Sequence, residues 1–247
     1  MFEILVFLAA GLVGGAVNAA AGGAKLFVFP MLLATGLPPI AANVTQGVAL
    51  WPAQLPAVWV YRRELMVEAR GLLRQLVPAL FGSVAGALVM VNSGNEVFVR
   101  VVPILLGVAV VAIVVGPRSS ELMRRAFPGD RLRAATGVLL ALIGFYGGFF
   151  GAGMGFMLLA VLSASTGQGI GKVNGAKNLF AFAIQSAAVI PMLLSGLTDW
   201  LAAVCVLVGG VVGGYLGASL TRRLPERPLR IGVAALGLVL TLYFLFS

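Results

Sequence analysis

The stretch Gly144–Asn178, GFYGGFFGAGMGFMLLAVLSASTGQGIGKVNGAKN, decides how this chain is read. It sets glycines at short intervals in a background apolar enough for a membrane, and it closes on Lys172 and Lys177. A second copy of the pattern lies near the start, Gly11–Thr45: GLVGGAVNAAAGGAKLFVFPMLLATGLPPIAANVT. Laid over each other without gaps, Gly11, Gly14 and Gly15 meet Gly144, Gly147 and Gly148, Gly22 meets Gly155, and Gly36 meets Gly169. The likeness continues beyond the motif. Gly82–Gly86 meets Gly213–Gly217 after a small shift, and Arg100 then meets Arg230.

Composition places the pair in a bilayer. The chain of 247 residues is 60% hydrophobic and 10% charged, where soluble domains carry about 25% charged residues. Its mean hydropathy is +1.06. That length allows roughly eight to ten crossings at about 20 residues each. Apolar runs and breakers mark ten segments, at about 3–21, 24–35, 41–60, 72–91, 97–116, 134–151, 154–166, 173–195, 200–221 and 229–246. The second and seventh are too short for a straight crossing of a hydrocarbon core about 30 Å thick, so they read as half-helices or re-entrant pieces. The N-terminal run has Glu3 where a signal peptide has its positive region, and reads as a retained membrane segment.

Orientation follows from arginine. The stretches 61–74, 117–133 and 222–230 are basic, whereas 92–96 and 195–200 hold only Glu96 and Asp199. Placing the basic stretches in the cytoplasm makes the third segment run inward and the eighth outward. The fold expected is therefore an all-α integral membrane protein of two inverted repeats, 1–116 and 134–247, joined by a cytoplasmic linker loop at 117–133. Inverted repeats with short, glycine-broken segments at matching places point to a secondary-transporter site near the midplane. The net charge of +9 belongs to these loops and gives no reason to expect a nucleic acid partner.

Few residues inside the apolar segments can carry chemistry. There is no histidine, and the one cysteine, Cys205, lies in an apolar run. Haem, iron–sulfur and zinc sites each need several such ligands, so neither a metal nor another cofactor is expected. An enzyme would likewise have few acid–base or nucleophilic groups. The three lysines, Lys25, Lys172 and Lys177, all fall in the twin motifs. A lysine at a helix centre costs about 2.5–3.5 kcal/mol on insertion scales, which argues for function, although snorkelling to an interface is the plain alternative.

The glycine breaks add a second device. A half-helix starting after Gly22–Gly23, or after Gly151, Gly153 and Gly155, presents unpaired N–H groups and a positive dipole end to an anion. The plain alternative is close helix contact, which is the role expected for Gly82–Gly86 and Gly213–Gly217. Asn43, Thr45 and Gln46 open the third segment, and Asn174, Asn178 and Gln185 are placed similarly in the eighth. They read either as donors to an oxyanion or as interhelical glue worth about 0.6 kcal/mol each. Buried carboxylates are missing from the apolar segments, which argues against a cation substrate.

The two quoted motifs, with the spacing of basic stretches over nearly the whole chain, resemble the TauE/SafE family of sulfite exporters. The resemblance implies a permease of the bacterial cytoplasmic membrane for small sulfur-containing anions such as sulfite, sulfoacetate, other sulfonates or thiosulfate. One departure is local: where relatives tend to carry a G-x-G-G-G run, this chain has Asn18-Ala19-Ala20-Ala21-Gly22-Gly23-Ala24-Lys25. The function expected is transport of such an anion by alternating access, with an anion channel or the membrane subunit of a larger complex as rivals. A homo-oligomer is left open.

Overall fold

The computed structural model describes residues 2–21, 23–127, 130–168, 173–221 and 226–246, and these form helices with no strand among them. In chain order the helices are α1 (Phe2–Ala21), α2 (Ala24–Ala34), α3 (Pro39–Leu50), α4 (Leu55–Val60), α5 (Arg62–Asn92), α6 (Asn95–Ala126), α7 (Asp130–Phe149), α8 (Met154–Thr166), α9 (Asn174–Leu194), α10 (Trp200–Thr221) and α11 (Glu226–Phe246). Among the described residues, Gly71–Asn92, Asn95–Gly116 and Asn174–Leu194 are long and apolar enough to cross a membrane. The 11 residues of α2 and 13 of α8 reach only about 16 and 20 Å at about 1.5 Å per residue. This is an all-α membrane protein in which α2 and α8 are half-length, as their breakers require.

Two expectations change. The third segment is not one helix: α3 stops at Leu50, a 3₁₀ turn covers Pro52–Gln54, and α4 follows. Pro52 has no N–H to continue the ladder and its ring crowds the preceding turn. The described parts of the basic stretches are mostly helix as well. α5 starts at Arg62, α6 runs on through Ala126 and α7 starts at Asp130, so the described residues of 117–133 are helix apart from Phe127. Glu121 and Arg125, one turn apart and 2.9 Å from each other, support the solvated end of α6 as an i,i+4 pair.

Glycine sets the tightest helix contacts. On α1 and α10, a Cβ at Gly11, Gly15, Gly209 or Gly213 would overlap the backbone oxygen of Val206, Gly210, Leu8 or Leu12 respectively. On α5 and α7, a Cβ at Gly82, Gly86, Gly144 or Gly148 would overlap the oxygen of Ala141, Phe145, Ala79 or Ser83. In both pairs the contacts advance in the same direction along the two helices, so each pair is parallel. Each helix carries its glycines four apart, the spacing that lets two backbones touch in lipid. The packing role expected of Gly82, Gly86 and Gly213 is the one observed.

On these glycine-paired helices many large side chains face outward. On α10, Leu201, Val204, Val208, Val211 and Tyr215 are exposed, while Ala202, Ala203 and Val206 are buried. In water such a surface would be an aggregation liability. Against lipid tails it costs nothing, and the small residues are left to make the helix contacts.

Pairwise contacts also order the ends. Ile40 N–H donates to Asn95 Oδ1 at 2.9 Å, and Asp199 N–H donates to Thr45 Oγ1 at 3.0 Å. These bonds place the starts of α3, α6 and α10 at one end of the molecule. Asn174 Nδ2 donates to the Tyr61 hydroxyl at 3.1 Å, so α9 starts at the opposite end, where α4 finishes. α3 and α9 are therefore antiparallel. α6 and α11 are too, since Gly107 faces Thr241 and Gly237 faces Val110.

Candidate functional site

The break after α7 lies level with the middle of the apolar stretch of α6. Gly151 and Gly153 take φ of +78° and +70°, a left-handed conformation that only glycine adopts without strain. Gly153 packs on Ala109, and the Tyr146 hydroxyl donates to Ala152 O at 2.6 Å while lying 3.1 Å from Leu105 O. Leu105 and Ala109 sit near the middle of the apolar stretch Asn95–Gly116. From this level α8 runs toward the end where Gly116 meets Phe156. α2 runs the other way, its Phe29 packed edge-on against Phe150 and Phe98 with ring centroids 5.5 and 6.0 Å apart.

A buried polar cluster fills the break. Lys25 Nζ donates to Phe150 O at 2.8 Å and to Gln185 Oε1 at 3.1 Å. Asn43 Nδ2 donates to Phe149 O at 2.9 Å, Gln46 Nε2 to Asn43 Oδ1 at 2.9 Å, and Gln185 Nε2 to Gly47 O at 3.3 Å. All four side chains are buried, Lys25 being 8% exposed and Asn43 and Gln46 not at all. Phe149 ends α7 and Phe150 follows it, so their carbonyls belong to a helix end with no further turn to bond them. An unmet buried acceptor costs about 1–3 kcal/mol. A lysine also suits the negative end of the helix dipole. Because Asn43 must turn its amide nitrogen to Phe149 O, its oxygen takes the Gln46 amide, which leaves Gln46 Oε1 without a partner.

The expected site residues thus divide. Lys25, Asn43, Gln46 and Gln185 meet at the α7 end beside Gly151, where a Cβ would stand 3.0 Å from Lys25 Nζ. Gly23 is the N-cap of α2. Gly153 is the N-cap of α8 and Gly155 lies in its first turn. Lys177 lies against that turn, its Cδ 3.6 Å from where a Gly155 Cβ would be. It is half-buried, as is Asn178 beside it, and among the described residues neither side chain has a hydrogen-bond partner. Asn174 is held by Tyr61. Thr45 is not part of the cluster: two residues on from Asn43, it points about 200° round the helix and holds the start of α10. Gly22 and Lys172 lie outside the described residues.

Several contributors were not legible. The acceptors at Phe149 and Phe150 are backbone atoms, so no side-chain type marks them. Tyr146 and Tyr61 look like packing aromatics in the sequence, and only the fold brings their hydroxyls to the break and to Asn174. Trp51 Nε1 donates to Ser186 Oγ at 2.7 Å and its ring stacks on Phe182. That tie braces α3 against α9 where Pro52 interrupts the helix.

A bundle of apolar helices whose half-length members α2 and α8 start at a buried polar break is the architecture of a multi-pass membrane transporter. The sulfite exporter TauE/SafE family matches residues 7–244, and the chain belongs to that family. It is 24% identical over 243 residues to a "Probable membrane transporter protein" of Haemophilus influenzae, covering 96% of this chain and 92% of that protein. It is 24% identical over 252 residues to "Probable membrane transporter protein YfcA" of Escherichia coli K12, covering 100% of this chain and 90% of that one. "Probable membrane transporter protein ORF9" of a Sinorhizobium species is 24% identical over 218 residues, covering 88% of this chain and 83% of the relative. No solved structure matches.

Proposed function

We propose that this chain is a secondary transporter of the bacterial cytoplasmic membrane that moves small sulfur-containing anions, such as sulfite, sulfoacetate or another sulfonate, by alternating access. The observation that carries the anion reading is Lys177: a half-buried cation against the first turn of α8 with no acceptor among the described residues. The first N–H groups of a helix and its positive dipole end favour an anion there, and Asn178 adds an amide donor. Lys25, Asn43, Gln46 and Gln185 lie about two turns of α9 away from Lys177, where they hold the end of α7 in place rather than contact the anion.

The carrier mechanism is supported by how the halves pack. Taking 1–116 and 134–247 as inverted repeats, α1 on α10 is the repeat image of α7 on α5, and both pairs are parallel and glycine-lined. α3 with α9, and α6 with α11, are image pairs and both are antiparallel. Such repeats rock about a central site in alternating access. Basic ends at Arg62, Arg124 and Arg125 favour the cytoplasmic side.

A thermal-shift panel on purified protein tests the substrate class. A bound anion at 100 times its dissociation constant adds about 2.7 kcal/mol of stability, so sulfite or sulfoacetate should raise Tm and Lys177→Ala should abolish the rise. A response to inorganic cations with silence toward every sulfur oxyanion would end the proposal. Counterflow of labelled anion in proteoliposomes separates carrier from channel, because only a carrier shows trans-acceleration.

A further inference from the structure

Lys25 has a place that the anion site does not explain. Its ammonium sits in the unwound stretch between α7 and α8, bonded to Phe150 O at 2.8 Å and Gln185 Oε1 at 3.1 Å. Both ligands are neutral oxygens, one a backbone carbonyl at a helix C-terminus. That oxygen set, at that kind of helix end, is what a coupling Na⁺ uses in transporters built on broken helices. Among the described carboxylates Glu3, Glu96 and Glu121 are exposed and Asp199, half-buried, accepts from Ala202 N–H at the start of α10, and the only ion pair among the described residues joins Arg125 to Glu121. Lys25 is thus a positive charge held in the core by oxygen dipoles alone.

The charge and its ligands come from opposite parts of the chain. Lys25 is on α2, while Phe150 and Gln185 are 125 and 160 residues further on, at the end of α7 and on α9. Gly151 leaves the ammonium its room, since a Cβ there would lie 3.0 Å from Nζ.

We infer that Lys25 is a tethered cation: its ammonium stands where a coupling Na⁺ would bind between the two halves, so the transport cycle of this chain runs without bound Na⁺. The inference rests on the alternating-access reading, because a charge on one half and oxygens on the other form a contact that closes in one state and opens in the other. Lys25 is accordingly a positioning residue and does not compete with Lys177 for substrate.

The test uses full-length purified protein, with NaCl replaced by choline chloride at constant ionic strength. Wild type should melt at the same temperature in both salts. Lys25→Ala, which empties the oxygen set, should melt lower in choline and regain stability saturably with Na⁺. Lys25→Met, which fills the space without charge, should melt lower and gain nothing from Na⁺. A saturable rise in wild-type Tm with Na⁺ would overturn the inference, as would a Lys25→Ala variant equally unstable in both salts. If Lys25→Ala cannot be purified, the wild-type comparison decides alone. These readouts involve no sulfur anion, so a failed anion panel and a failed Na⁺ comparison are distinguishable results.

Discussion

Lys25 and Lys177 both stand in the first turn or so of a helix, yet their amines meet opposite conditions. Lys25 satisfies the end of α7, and Lys177 is left open beside α8. On α9, Lys177 and Gln185 are eight residues apart, about 12 Å along the axis, so the two lysines work at separate levels. The neighbouring amides can be separated in the same way. Asn43→Leu removes the donor to Phe149 O and should lower stability by about 1–3 kcal/mol, measured by thermal melting in detergent. Thr45→Val removes only the acceptor for Asp199 N–H. It should cost about 1 kcal/mol and leave any anion-dependent Tm shift unchanged; loss of that shift would return Thr45 to the site.

Between helices, the decisive quantity is backbone separation. Gly15→Ala and Gly82→Ala each drive a methyl group into a carbonyl oxygen of the facing helix. Since that atom belongs to a helix backbone, the whole helix must move, and a loss of about 1–3 kcal/mol or more is expected. Gly71→Ala and Gly137→Ala have no atom within 4 Å of the new carbon. They should stabilise by about 0.5–1 kcal/mol through helix propensity. Melting the four variants side by side checks this, and equal effects at all four positions would remove the close-packing account.

For the protein across its membrane, orientation is the open quantity. In a Cys205→Ala background, Asn92→Cys and Leu197→Cys lie at the end opposite Glu121→Cys. An impermeant maleimide on intact cells should label the first two and reach the third only after permeabilisation. The reverse pattern would invert the assignment drawn from the arginines.

Hydropathy and breakers place most of the apolar helices, because a span in lipid needs an apolar run that satisfies its own backbone and a stop where glycine or proline ends it; they do not show the helical extensions at 62–71 and 116–126. α8 and α10 fall where those signals put them, and family membership follows from the same glycine pattern. Lys25, Asn43, Gln46 and Gln185 were legible as a group, since buried polar side chains are rare in such segments. Their tasks were not legible. Whether a lysine meets an anion or a helix end depends on which distant backbone carbonyl comes within 3 Å. Residue 25 finds its ligands at 150 and 185 only through the packing of α2 on α7 and α9. The interruption of α3 at Pro52 and the separation of Thr45 from Asn43, by contrast, follow from local geometry, a proline ring and a two-residue step round the helix. Composition and spacing determine which elements a chain can form in a bilayer; the assignment of each polar atom to a partner belongs to the assembled helices, because hydrogen bonds act over one atomic contact and no sequence interval encodes that distance.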